Sequence, residues 1–177
     1  MIEPQAKLAE LIMKKTFSGK SFFCNSGAEA NEAALKLVKK YGLINKKSKI
    51  IAIHNSFHGR TIGALSLTGQ EKYQNNFKPL LPNIIFIEKD NIVELKKYID
   101  ENTAGIFIEV IQCEGGIYPL SKTFLDELKF LKTKYKFIIV DDEIQSGMGR
   151  TGKTFAYQHF NFKPDIITFA KGLAGGL

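Results

Sequence analysis

Cysteine is nearly missing from this sequence: Cys24 and Cys113 are the only two in 177 residues. Two thiols make no disulfide framework, so a reducing, cytoplasmic setting is the expectation. No apolar run approaches the ~20 residues that a membrane-spanning helix needs, which excludes the membrane as a partner at this level. Met1-Ile2-Glu3-Pro4 lacks the basic-then-apolar layout of a secretory signal. Arginine is as scarce as cysteine. Only Arg60 and Arg150 contribute to the formal charge of +7; the rest is lysine. Lysines such as Lys36, Lys39 and Lys40, or Lys129, Lys132 and Lys134, are dispersed rather than clustered and have no interleaved aromatics. A nucleic-acid footprint would be clustered and richer in arginine, so no nucleic acid is expected. The excess charge reads as a solvated surface whose field would also attract an anionic ligand. Histidine offers no metal site. His54 lies on a predicted strand and Gly59 follows His58, whereas a pair four apart would need one helix face. Neither cysteine has a base at a fixed spacing, so packing is the better reading for both.

What is present is an alternation of short apolar runs with amphipathic stretches. The length suits one core and is too short for two generous domains. Helical spacing appears over residues 5–16, with Leu8, Leu11 and Ile12 on one face, and over 28–41, with a stripe of Ala30, Ala33/Ala34, Leu37 and Tyr41. Ser26 and Glu29 form the Ser-x-x-Glu signature of a capping box at the start of the second helix. Residues 92–101 read as a short helix. A longer one, capped by Ser121, runs to about Tyr135 with Phe124, Leu125, Leu128 and Leu131 inward. Runs at 21–24, 49–54, 84–88, 106–110, 137–140 and 166–169 read as strands or short apolar segments, and 55–70 as a loop rich in Gly, Ser and Thr. Strands separated by helices predict an α/β fold, a mainly parallel sheet with helices on both faces.

In such a sheet, ligands sit off the carboxyl ends of the strands, so the chemistry is sought there. Asn25-Ser26-Gly27-Ala28 precedes a helix start, where exposed N–H groups and the helix dipole favour an anion; a capped helix without a ligand is the plain alternative. Asn55-Ser56-Phe57-His58-Gly59-Arg60 follows the run at 49–54. Asp142 follows the apolar run 137–140 and needs a cationic partner: a protonated ring nitrogen of a ligand, or a salt bridge to Arg150 or Lys171. Lys171 ends another apolar run. If the sheet is covered there, the amine is desolvated and suited to Schiff-base chemistry; if not, it snorkels into solvent. Gly147-Met148-Gly149-Arg150-Thr151-Gly152 matches G-x-G-x-x-G. However, residues 141–146 separate it from the strand and no helix opens at its end, so it fails the dinucleotide fingerprint.

Taken in order, these segments resemble a family. The run from Phe22 through Asn25-Ser26-Gly27-Ala28-Glu29-Ala30-Asn31-Glu32 to Leu37 is similar to the phosphate-binding segment of class III aminotransferases. Ser56-Phe57-His58-Gly59-Arg60-Thr61, the stretch from Asp142 to Gly152, and Phe169-Ala170-Lys171-Gly172 resemble the other motifs of that family, and the likeness covers nearly the whole chain. Within the family the motifs are most similar to the acetylornithine-type enzymes. The resemblance implies a fold-type-I large domain and pyridoxal 5'-phosphate as cofactor. Lys171 would hold the cofactor and move the proton, and Asp142 would pair with its pyridine nitrogen. Ser26, Gly27 and Ala28 would hold the phosphate, Phe57 would stack on the ring, and Gln145 would lie near the phenolic oxygen. Arg60 would bind a substrate carboxylate, and Glu114 would help the site alternate between substrates. The implied reaction moves the terminal amino group of N-acetylornithine to 2-oxoglutarate in a homodimer. Ornithine, succinylornithine or 4-aminobutyrate are alternative donors.

Departures accompany the resemblance. The family usually has Pro where Val110 stands, Gly where Cys113 stands, and often an apolar residue at Asp141. Its members are roughly twice as long, with a large and a small domain. The expectation is therefore that residues 1–177 are part of the cofactor-binding large domain, with the N-terminal segment and the C-terminal small domain missing. A truncated, non-catalytic cofactor binder is the rival expectation.

Overall fold

The computed structural model describes residues 2–175. Its helices are α1 (Glu3–Lys15), α2 (Gly27–Asn45), α3 (Ile62–Leu67), α4 (Glu71–Gln74), α5 (Ile92–Tyr98) and α6 (Lys122–Tyr135). Its strands are β1 (Lys49–Ile53), β2 (Ile84–Ile87), β3 (Thr103–Ile108), β4 (Ile111–Gln112), β5 (Tyr118–Pro119), β6 (Ile138–Asp142) and β7 (Ile166–Thr168). The isoleucine-rich runs pair in parallel in the order β2-β1-β3-β6-β7, and β4 and β5 form a small antiparallel pair.

Near-continuous apolar strands imply burial on both faces, and both faces are covered. Ile51, Ile53, Ile106, Ile108 and Ile139 point into a core closed by Leu95 of α5 and by Phe124, Leu125, Leu128 and Leu131 of α6. Ile50, Ala52, Phe107 and Val140 point the other way, against Ala34, Leu35 and Val38 of α2. Each of these side chains other than the alanines contributes about 1.5–3 kcal/mol through removal from water. The α6 prediction agrees with the structure in both its cap and its face: the Ser121 hydroxyl accepts from the Phe124 N–H at 3.2 Å, and the four named residues are buried.

Several expectations change. Residues 21–24 form no strand, and Phe22 is largely exposed. The region 55–70 contains α3 and so is not all loop. The stripe expected on α2 is rotated: the buried residues are Asn31, Ala34, Leu35, Val38 and Gly42, while Leu37 is 57% exposed. The buried face includes a polar residue, Asn31, which an apolar count passes over. The face of α1 carrying Leu8, Leu11 and Ile12 buries nothing fully. Among the described residues no helix is long and apolar enough to cross a membrane.

Candidate active site

A cleft of about 770 Å³ opens at the carboxyl ends of β1, β3, β6 and β7 and is bounded on one side by the start of α2. Of the residues singled out in the sequence, Ser26, Gly27, Ala28, Phe57, Arg60, Asp142, Gln145 and Lys171 line it. Glu114 stands outside it.

The start of α2 is capped as its sequence predicts. The Ser26 Oγ accepts from the Glu29 N–H at 3.2 Å, and Glu29 in turn accepts from the Asn25 N–H at 2.5 Å. Helix geometry leaves the first N–H groups, those of Gly27 and Ala28, without intrahelical acceptors at the positive end of the dipole. The small residues here also have a packing reason. A Cβ on Gly27 would lie 2.8 Å from Ile144 Cδ1, and one on Gly59 (φ +130°) would lie 3.0 Å from Ala28 Cβ.

Asp142 ends β6 and is almost wholly buried. Its partner is neither Arg150 nor Lys171. Asn31 donates to Oδ2 at 2.6 Å, His58 Nδ1 lies 2.8 Å from the same oxygen, and Oδ1 accepts from the Ile144 N–H at 3.0 Å. The carboxylate requires the proton on Nδ1 of His58, which leaves Nε2 as a buried atom without a partner. Burial works to lower the His58 pKa, but the hydrogen bond to Asp142 and the charges of Asp142 and Glu109 outweigh it and raise the value. Asn31 is the hub of this network: it also donates to the His58 carbonyl at 2.7 Å and accepts from the Thr168 hydroxyl at 2.8 Å. It thereby ties α2, β6, β7 and the loop after β1 together.

Glu109 directly follows β3, 3% exposed, and accepts from the Phe57 N–H at 3.1 Å. Burial pushes its carboxyl up to about 8, helped by the charge of Asp142 and opposed by that of His58. Phe57 stands edge-on to Tyr73, with ring centroids 5.6 Å apart. The guanidinium of Arg60 lies 5.0 Å from the Tyr73 ring centroid, and the Tyr73 hydroxyl donates to Glu114 at 3.1 Å. Arg60 and Glu114 are thus two ends of one rim cluster joined by Tyr73.

Lys171 opens a 3-10 turn with φ +44° and is exposed, the solvent-facing one of the two readings its position left open. It lies three residues past β7, which pairs with β6 among the described residues. Cys24 is exposed and Cys113 half-buried, so neither is the core residue expected. The glycines of 147–152 lie in turns with no helix at their end, in keeping with the rejected dinucleotide fingerprint. Asn31, His58, Glu109 and Tyr73 were not foreseen as site residues. Asn31 and His58 sat inside motifs, but only as letters. Glu109 carried the one usable signal, a carboxylate at a strand's carboxyl end.

A profile of the class-III aminotransferases matches residues 1–177. The chain belongs to the class-III aminotransferase family. It is 48% identical over 176 residues to the acetylornithine aminotransferase of Aquifex aeolicus, covering 98% of this chain and 47% of that protein. It is 45% identical over 177 residues to the succinylornithine transaminase of Photorhabdus laumondii, covering 98% and 44%. The ornithine aminotransferase of Toxoplasma gondii, in a structure reported with partial occupancy of PLP at its active site, superposes with a TM-score of 0.90 at 31% identity over 97% of this chain and 42% of that one. The chain therefore spans less than half the length of these relatives. The fold is that of fold-type-I transaminases, and the mainly parallel sheet with helices on both faces is the corresponding part of it.

Proposed function

We propose that residues 1–177 are part of the cofactor-binding large domain of an aminotransferase that moves the terminal amino group of an N-acylated ornithine to 2-oxoglutarate. N-acetylornithine is the first choice of donor, pyridoxal phosphate the cofactor, and a second copy of the chain the partner. The observation that carries this is the convergence, in one cleft, of the start of α2, a buried carboxylate with two side-chain donors, an aromatic side chain and a lysine. This donor set fits pyridoxal phosphate: the N–H groups of α2 suit its phosphate, and Asp142, already oriented by Asn31 and His58, suits a protonated ring nitrogen.

When bound, pyridoxal phosphate supplies an electron sink that makes a carbon–hydrogen bond beside nitrogen acidic. The chain's own residues do the rest. Ser26, with the N–H groups of Gly27 and Ala28, would hold the phosphate. Asp142, whose Oδ2 is held by Asn31 Nδ2 and His58 Nδ1, would accept from a protonated ring nitrogen. Phe57 would stack on the ring, and Gln145 would lie near the phenolic oxygen. Lys171 would hold the cofactor through Nζ and move the proton. Arg60 takes a substrate carboxylate in a bidentate grip, with Glu114 alternating between the two substrates through the Tyr73 cluster.

Both acetylornithine and succinylornithine names occur among the relatives, so a donor panel separates these substrates. The test of the site is direct. The chain is incubated with pyridoxal phosphate, reduced with borohydride and mapped by mass spectrometry. A stoichiometric adduct on Lys171, absent in Lys171→Ala, is the expected result; adducts scattered over surface lysines would remove the assignment. A second reading is a chain that holds cofactor without turnover, and the same experiment separates it. An adduct on Lys171 without amino transfer from N-acetylornithine would select it.

A further inference from the structure

Glu109 has no role in the site as built so far, yet its surroundings are unusual. The parallel register of β3 and β6 pairs Ile108 with Asp141, and Glu109, just past β3, and Asp142, the last residue of β6, each follow that pair at the floor of the cleft. Both side chains are buried, and both line the cleft. The Glu109 carboxyl receives the N–H of Phe57, whose next neighbour, His58, binds Asp142. One loop is therefore held by two carboxylates, Glu109 through its main chain and Asp142 through its imidazole.

We propose that Glu109 is a positioning residue of this cleft: its carboxyl holds the main chain that carries Phe57 and His58, and it sets the charge balance against which Asp142 works. Beyond accepting one backbone N–H, Glu109 lies near His58, Asp142 and Cys113, and its charge raises the His58 and Cys113 values. Glu109 and His58 are both buried and each feels the other's charge, so the two titrate as a coupled pair. When Glu109 is ionised its charge helps to steady a proton on His58; when it is neutral, Asp142 alone supports that proton. The site's net charge thus follows Glu109 although Glu109 need not touch a ligand.

The inference rests on the cofactor reading for its consequence, but its test needs no cofactor. In the 177-residue chain the ring resonances of His58, one of only three histidines, are followed by NMR against pH. In Glu109→Gln the acceptor for Phe57 is retained while the charge is lost. The midpoint of His58 is expected to move down by about half a pH unit or more. A smaller or upward shift would reduce Glu109 to a structural acceptor and overturn the proposal. Should the variant fail to fold, the unsubstituted chain still decides. The carboxyl carbon of Glu109 must titrate together with the His58 ring, and independent curves would overturn it. The Lys171 adduct reports the cofactor reading separately, and neither of its outcomes alters this titration.

Discussion

At the scale of single residues, two positions expected to depart from the family's usual pattern meet in space. The N–H of Val110, which a proline would lack, donates to Asp141 Oδ1 at 3.1 Å in the buried core. The other Asp141 oxygen has no partner, and burial, followed by the charge of Glu143, holds this carboxyl well above the usual carboxylate range. The pair is therefore one unit: the acid answers a donor that a proline would not offer. Val110→Pro in the present chain strips a buried acid of its single partner and should cost about 1–3 kcal/mol. In an Asp141→Ile background the same change should cost less, with a coupling of about 0.5–3 kcal/mol. Urea denaturation of the four chains measures this, and strictly additive values would mean the two departures are unrelated. Asn31 teaches the complementary lesson. Its three side-chain hydrogen bonds join three segments, yet in the sequence it is one polar letter in an alanine-rich helix.

At the scale of elements, α6 and the start of α2 were legible because their signals are local: a serine cap, a reciprocal glutamate, a 3.6-residue apolar period. Helix α3 was not. It is six residues long, sits in a stretch rich in Gly, Ser and Thr, and has no side-chain cap of its own. Its start is satisfied from another element, because Glu32 Oε1 of α2 accepts the Gly63 N–H at 2.8 Å and the Ala64 N–H at 3.1 Å. A Cβ on Gly63 would lie 2.3 Å from Glu32 Oε2, so glycine is what lets the carboxylate reach the backbone. Glu32→Ala should destabilise the chain by about 1–2 kcal/mol and speed hydrogen exchange at Gly63 and Ala64. Glu32→Gln, which keeps an acceptor, should recover much of this. Equal losses in both variants would argue against capping as the role of Glu32.

At the scale of the whole molecule, the buried acids and His58 shape stability against pH. Glu109 is raised from an ordinary 4.5 to about 8, chiefly by burial. The folded chain therefore keeps a proton there that the unfolded chain loses above 4.5. His58 is raised above 6.5 on balance, so the folded chain also holds its proton to higher pH, and Asp141 is displaced in the same direction. In each case the folded state binds more protons, so stability falls as pH rises, from about 4.5 until about 8 for Glu109. The slope is at most about 1.4 kcal/mol per pH unit for each proton by which the states differ. Thermal unfolding between pH 5 and 9 should give a falling midpoint, flatter in Glu109→Gln. A midpoint that rises over that interval would contradict the buried, protonated acid.

The sequence by itself determined the α/β class, the parallel sheet, the capped helices and the strand ends that carry the chemistry, because periodicity, caps and breakers act over a few residues. The family followed from four such segments in order. The tertiary structure alone decided what surrounds each group. Asp142 meets His58 across 84 positions and Asn31 across 111, and Glu109 meets Phe57 across 52. Those meetings depend on the strand order β2-β1-β3-β6-β7, which no local pattern encodes.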